Sequence, residues 1–198
     1  MRIYFVRHGQ SEANILNEFS NRGLKHGLTE KGKIQAGKLS KKLQKHKIDL
    51  IYSSSLLRAR QTAEVLSENL NVSVKIVYEL MEHDCGLEGN SDDCSWNRYM
   101  ELMDNWLLYK KYNCIIEGGE SYFALKDRFV PFIKMLMGSN DNVLLIGHGS
   151  LYRLMLPEVI ENIDTSFTYN NHLDNCDVVV VKRINNKLYC IDWCGQII

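Results

Sequence analysis

Ile3-Tyr4-Phe5-Val6-Arg7-His8-Gly9 opens the chain, and Val143-Leu144-Leu145-Ile146-Gly147-His148-Gly149 repeats its plan near the other end. Each begins with four apolar residues, as a strand buried on both faces does, and then runs out into a histidine followed by glycine. Each histidine thus stands at a strand's carboxyl end, where open α/β sheets leave a crevice for ligands. If the two strands are parallel neighbours, His8 and His148 face the same crevice, and the glycines let backbone and ligand approach closely. A structural role at a strand end accounts equally well for either histidine alone. Two in matching contexts favour a shared site.

Outward from these runs, strand and helix patterns alternate. Thr29 can cap a helix reaching about Lys45, with Ala36, Leu39 and Leu43 inward. Leu50, Ile51 and Tyr52 make a short buried strand; Leu56, Ala59, Ala63, Leu66 and Leu70 recur at helical spacing; Val72, Val74 and Ile76 alternate as a strand does. Two βα units therefore precede residue 80. A helical pattern from Asp92 to about Tyr112 brings Trp96, Tyr99, Met103 and Leu107 into phase, and another from Ser121 carries Leu125, Phe129, Phe132 and Leu136, with Pro131 expected to kink it. Val178–Ile184 and Lys187–Asp192 flank Asn185 and Asn186, which tolerate positive φ and suit a hairpin turn. The pattern predicts one α/β domain over 1–198. Its architecture is a three-layer αβα sandwich on a mixed, mostly parallel sheet of about six strands, with an antiparallel hairpin at the C-terminal edge. Residues 84–120 read as an insertion that shapes a substrate site, with Cys85, Trp96, Arg98, Tyr99, Trp106 and Tyr109 as candidate lining.

The 198 residues are 45% hydrophobic and 24% charged, with 24 basic and 24 acidic side chains. A chain of this size can bury most of its apolar surface in one core. Charge is unevenly spread: Arg22 to Lys47 holds nine Lys/Arg and one acid, whereas Glu79 to Asp104 holds eight acids and only Arg98. That polarity could steer an anion, although the lysines of 31–47 also fit the solvated face of a helix. A balanced total without basic residues interleaved among aromatics speaks against nucleic-acid binding. No stretch approaches about 18 apolar residues and the start is strand-like, so no membrane partner and a cytoplasmic location are expected. The six cysteines form no C-x-x-C pair and read as free thiols.

Ser53 to Ala63, reading S-S-S-L-L-R-A-R-Q-T-A, offers hydroxyls and free N–H groups before a helix that carries Arg58 in its first turn. Paired histidines could instead mark zinc. However, neither has a partner at helical ligand spacing, and Arg7, Arg58 and Arg153 would oppose a cation.

Taken together, these blocks resemble the histidine phosphatase superfamily, the family of cofactor-dependent phosphoglycerate mutase. Arg7-His8-Gly9-Gln10-Ser11-Glu12-Ala13-Asn14 is similar to its opening signature. Leu28, Thr29, Gly32, Gln35 and Ala36 resemble its next block, and Ser55 to Ala63 its arginine-bearing helix. Glu82 with Gly86, Glu88 and Gly89 resembles its general-acid segment, followed in order by Glu120, Ser121 and Gly147-His148-Gly149. The resemblance implies that His8 is the nucleophile, that Arg7, Arg58 and His148 with Gly149 form the phosphate pocket, and that Glu82 is the proton donor. Gln10, Ser11 and Asn14 are implied to contact phosphate or substrate, although an ordinary polar loop is the alternative for each.

The implied activity is hydrolysis of a small phosphorylated molecule through a phosphohistidine, with no cofactor and no metal. Mutases of the family carry Gly-Trp-x-Asp-x-x-Leu-Thr where this chain has Leu24-Lys25-His26-Gly27-Leu28-Thr29. They also add segments that enclose substrate. A mutase must exclude water while its intermediate reorients, so the leaner chain favours hydrolysis over phosphoglycerate mutase chemistry. A non-catalytic phospho-ligand binding module is the remaining alternative, as are monomer and homodimer for the assembly. Gly147 stands where the family usually has serine.

Overall fold

The computed structural model describes residues 1–198. Seven strands form one sheet in the order β3-β2-β4-β1-β5-β6-β7, with β1 Arg2–Arg7, β2 Leu50–Ser54, β3 Val74–Val77, β4 Val143–Gly147, β5 Val178–Ile184, β6 Lys187–Trp193 and β7 Gln196–Ile197. The first four run parallel and β5 to β7 antiparallel, the mixed sheet that the alternating pattern predicts. The two-residue β7 extends the expected six strands by one; no residue pattern is long enough to reveal it. Asn185 and Asn186 both have positive φ, 50° and 63°, so the β5–β6 connection is the tight two-residue turn expected of them.

Alternation along β1 and β4 divides the core into two layers. Tyr4, Val6, Leu144 and Ile146 face α2 (Glu30–Leu43) and α3 (Leu57–Leu70), where Leu39, Leu43, Ala59, Ala63 and Leu66 complete one apolar cluster. Ile3, Phe5, Val143 and Leu145 face the other way, into a larger cluster with α4 (Asp93–Leu107), α5 (Tyr122–Leu136) and α6 (Gly149–Met155). Strands buried on both faces must be apolar throughout, which is why the opening runs lack a polar alternate. Pro131 lies inside α5, and the helix runs through it to Leu136. Four further helical pieces escape the periodicity: α1 (Glu12–Leu16), α7 (Thr165–Asn170) and the single turns Tyr78–Leu80 and Leu156–Glu158. Each is too short for an apolar stripe to repeat. No helix is long and apolar enough to cross a membrane.

What positions the site is the register of β1 on β4. Arg7 pairs with Gly147, and the His8 amide donates to the Gly147 carbonyl at 3.1 Å, so both chains leave the sheet at the same level. The departing loop is then held against the first turn of α2. Thr29 caps that helix by accepting from the Gly32 amide at 3.0 Å, while its own amide donates to the Gln10 carbonyl at 2.9 Å. Gly9 and Gly32 interlock there: a Cβ on Gly9 would stand 2.6 Å from the Gly32 carbonyl oxygen, and one on Gly32 would strike the Gln10 carbonyl oxygen. Gly37, one turn further along the same helix, has open space around it.

The two helix glycines therefore respond oppositely to alanine. Gly32→Ala should lower stability by about 1–3 kcal/mol through overpacking, whereas Gly37→Ala should raise it by about 0.5–1 kcal/mol through helix propensity. Urea midpoints of the two variants check the pair; equal shifts would contradict the packing.

Candidate active site

His8 lies at the β1 exit, 3% exposed, between two groups of fixed polarity. Its Nδ1 is 2.7 Å from the Gly9 carbonyl oxygen, which only accepts, and its Nε2 receives Arg58 Nε at 3.0 Å, which only donates. The two partners set the tautomer: the proton is on Nδ1 and the lone pair is on Nε2. Burial first, then the Arg58 and Arg7 charges, hold the His8 pKa well below the ordinary imidazole value of 6.5. The ring is therefore neutral at physiological pH.

His148 stands beside it with ring centroids 5.1 Å apart. Its Nε2 is 2.8 Å from Ser54 Oγ at the end of β2, and burial followed by the Arg58 charge holds its pKa well below 6.5 too. Arg58, in the first turn of α3, is 5% exposed and has its own pKa pushed down to about 10 by burial. Arg7 donates from Nη1 to the Leu173 carbonyl at 2.6 Å and packs against Gly149, where a Cβ would lie 3.4 Å from Arg7 Nε. Arg7 Nε and His148 Nδ1 are buried with no hydrogen-bond partner. Buried polar atoms are nearly always paired, so these two mark where an acceptor belongs. Ser54, two residues into the S-S-S run, is the hydroxyl that the sequence offered without saying what it would hold.

Glu82 reaches the same place from the far side of the sheet. Its Oε1 accepts from the His83 and Leu151 amides at 2.9 and 2.8 Å, and its Oε2 from the Ser150 amide at 3.2 Å, tying it to the start of α6 directly after His148. The backbone behind it is clamped by Arg128, which forms a bidentate pair with Glu120 at 2.7 and 3.0 Å and also donates to the Glu79, Met81 and Glu82 carbonyls at 2.8, 2.9 and 3.3 Å. Sequence reasoning placed Glu120 in order but missed Arg128, because the contacts span more than 40 residues.

A cleft of about 430 Å³ opens over these groups, and Arg7, His8, Asn14, Arg58, Glu82 and Gly149 are on its wall. Gln10, Ser11 and His148 are not. Gln10 accepts from Thr29 Oγ1 at 3.0 Å, and its amide donates to Gln35, so its side chain pins the loop to α2. Ser11 is fully buried, and both its amide and its hydroxyl donate to Asn14 Oδ1 at 3.1 Å, tying down the start of α1. Asn14 Oδ1 also accepts from Asn175, which bonds the His8 carbonyl, so only the Asn14 Nδ2 donors remain for an anion. His148 is wholly buried beneath the wall, next to His8.

Of the candidate lining residues, Cys85, Trp96 and Tyr99 border the cleft, but Arg98, Trp106 and Tyr109 do not. Trp106 is a core residue, packed between His83 and Tyr122, and Tyr109 is 63% exposed. Helical phase cannot distinguish a core aromatic from a cleft aromatic, since both are inward. Asn21 and His172 line the cleft without a signal in the sequence that set them apart, and Arg153, legible only as a cation near the histidines, lines it too. No group of three or more His, Cys, Asp and Glu side chains is placed to hold a metal ion. The serine expected before the second histidine is also accounted for: a Cβ on Gly147 would lie 2.6 Å from Tyr152 Oη, which is anchored on the Leu145 carbonyl at 2.7 Å.

The chain is similar to known proteins over most of its length. A model of the histidine phosphatase superfamily (branch 1) matches residues 3–194. The chain is 33% identical over 166 residues to the 2,3-bisphosphoglycerate-dependent phosphoglycerate mutase of Bartonella bacilliformis, covering 78% of this chain and 79% of that one. It is 27% identical over 184 residues to phosphoserine phosphatase 1 of Hydrogenobacter thermophilus, covering 91% and 86%. The structure of a mycobacterial glucosyl-3-phosphoglycerate phosphatase in complex with VO3 superposes with a TM-score of 0.81 at 23% identity, over 98% and 99% of the two chains, and so shares the fold.

The neutral histidines make two pH measurements informative. In the free protein, the His8 ring followed by NMR should titrate below pH 6.5, and Arg58→Met should raise its midpoint toward 6.5 by removing a nearby cation. Above the unfolded value of about 6.5 both folded and unfolded histidines are neutral and stability is unaffected; below it only the unfolded chain gains protons. The urea midpoint should therefore fall between pH 7.5 and pH 5, and a flat profile would contradict buried neutral rings at positions 8 and 148.

Proposed function

Because the chain belongs to the histidine phosphatase superfamily, we propose that it is a metal-independent phosphomonoesterase that hydrolyses a small phosphorylated substrate through a phosphohistidine on His8. The observation that carries this reading is the His8 tautomer. With Nδ1–H bound to the Gly9 carbonyl, the free electron pair is at Nε2, beneath Arg58 and facing the cleft. An incoming phosphate takes over the Arg58 N–H bond and uncovers that pair for attack.

The reaction divides into two displacements. His8 Nε2 attacks phosphorus, the ester P–O bond breaks, and Glu82 gives a proton to the leaving oxygen. Water then attacks the phosphohistidine, Glu82 takes a proton from it, the N–P bond breaks, and phosphate leaves with His8 restored. Monoester hydrolysis calls for accelerations of up to roughly 10²¹-fold, so charge stabilisation must be large. Arg7 and Arg58 supply it as planar donors matched to a flattened phosphoryl group, and one arginine so placed is worth roughly 10³ to 10⁵ in rate. His148 Nδ1 adds a third donor when Ser54 Oγ donates to its Nε2.

The phosphatase-named relatives support hydrolysis. The mutase relatives keep phosphoryl transfer between hydroxyls as the second reading, which requires a bisphosphorylated primer. The absence of the Trp and Asp before Leu28, with no added enclosing segment, favours water as acceptor.

Turnover of p-nitrophenyl phosphate with EDTA present and no primer tests the proposal. His8→Ala should abolish it, with acid quench of the wild-type protein and ³²P-labelled substrate yielding an acid-labile phosphohistidine. Glu82→Gln should slow alkyl phosphates by about 10²–10⁴-fold, but p-nitrophenyl phosphate much less, because nitrophenolate leaves without a proton. Full activity in His8→Ala would overturn the assignment, and dependence on 2,3-bisphosphoglycerate would turn it to the mutase.

A further inference from the structure

Four arginines are drawn into the interior around the cleft, and their partners differ. Arg128 is neutralised by Glu120; Arg7 and Arg58 flank His8, where they serve phosphate. Arg153, five residues beyond His148 on α6, is 8% exposed and borders the same cleft, yet no carboxylate pairs with it. Its Nε and Nη2 reach the Thr168 and Tyr169 carbonyls at 3.4 and 3.3 Å, the far end of hydrogen-bond range. Its Nη1 makes no bond. A guanidinium taken out of water without a counter-charge costs stability, and such groups persist where an anion arrives to meet them.

The acids nearby do not pair with Arg153: Asp104, the carboxylate beyond Tyr169, accepts from the Tyr169 hydroxyl at 3.0 Å. Glu18 is occupied by Lys25 and His26, and the Glu82 oxygens accept three amides. Asp174 is exposed at the rim with His172. The charges then balance in two parts: two positive charges on Arg7 and Arg58 against a phosphate dianion, and one on Arg153 against a monoanion. Its planar donors match a carboxylate, and the Ser150 hydroxyl, 2.6 Å from Tyr99 Oη, lies on the same wall.

We propose that Arg153 binds a carboxylate of the substrate, so that the physiological ester is a small phosphorylated carboxylic acid. This rests on the phosphatase reading and narrows it to a substrate class. The plainer role for Arg153 is a strut between α6 and α7, whose other link is Thr168 Oγ1 donating to the Arg153 carbonyl at 2.8 Å. A strut would affect every substrate alike; a carboxylate ligand would not.

Two pairs of esters separate these roles: O-phosphoserine with O-phosphoethanolamine, and 3-phosphoglycerate with glycerol 3-phosphate. Each pair differs by one carboxylate. In wild-type protein, kcat/KM should favour the acid of at least one pair by about tenfold or more, because a site built for a polar group rejects analogues lacking it. Arg153→Met should lower kcat/KM for that acid at least about tenfold more than for its partner, mainly through KM. Arg153→Lys, which keeps the charge but not the fork and serves if the methionine variant fails to fold, should show the same selective loss at smaller size.

No preference in either pair, or equal loss for both members, overturns the proposal. Wild-type hydrolysis of p-nitrophenyl phosphate reads the phosphatase assignment separately. If it persists while the preference is absent, only the role of Arg153 fails; if it is absent too, the enzymatic reading fails with it.

Discussion

Arg58 donating to His8 Nε2 is the contact on which the rest of the site depends. It holds a cation out of water against the lone pair of a neutral imidazole, an arrangement that is costly unless both are fixed from behind. The Gly9 carbonyl fixes the ring by accepting from Nδ1, and the buried first turn of α3 fixes the guanidinium. The cation keeps the ring unprotonated and the ring keeps the cation aimed. Under the proposed mechanism a phosphate dianion serves both better than they serve each other, and the pocket is then built ahead of its ligand.

Every other element holds that contact in place. Parallel pairing of β1 with β4 brings His148 to 5.1 Å from His8, and β2 on the other side of β4 brings Ser54 under His148. Two glycines without room for a methyl lock the His8 loop onto α2. On the opposite flank the largely buried Arg128–Glu120 pair collects three carbonyls and so sets the backbone that carries Glu82. Removing one member of such a pair leaves the other charge largely buried, so this clamp is expected to be as intolerant as the groups proposed to be catalytic. The stretch at 84–120 then closes one side with Cys85, Trp96 and Tyr99, while Trp106 turns inward to the core.

How much of this was legible follows from the range of each interaction. The helices at Glu30–Leu43, Leu57–Leu70 and Tyr122–Leu136, and the four strands of the parallel half, were readable because periodicity and capping are local. The Asn185-Asn186 turn was readable because positive φ at two adjacent positions leaves few residues to choose from. The family resemblance implies that Gln10 and Ser11 contact phosphate or substrate, yet a polar loop after a strand looks the same whether its side chains face a ligand or fasten the loop. In the fold both fasten it. Arg153 was legible only as a cation near His148 in the sequence, since an arginine on a helix face reads as solvated until the face is known to be buried.

The sequence by itself determined the α/β architecture, the order of the strands and helices along the chain, and residue types that could handle a phosphate: two histidines at strand ends and an arginine in a first helical turn, with the acid after the third strand set apart only by the family resemblance. These follow from local preferences and from chemistry that few side chains possess. Only the tertiary structure decided which nitrogen of His8 is free, which loop residues are fasteners, that Arg153 borders the cleft and why Gly147 is not serine. Those facts rest on how side chains are aimed at one another, and that is fixed only once the sheet has set its register and the hydrophobic layers have closed on both of its faces.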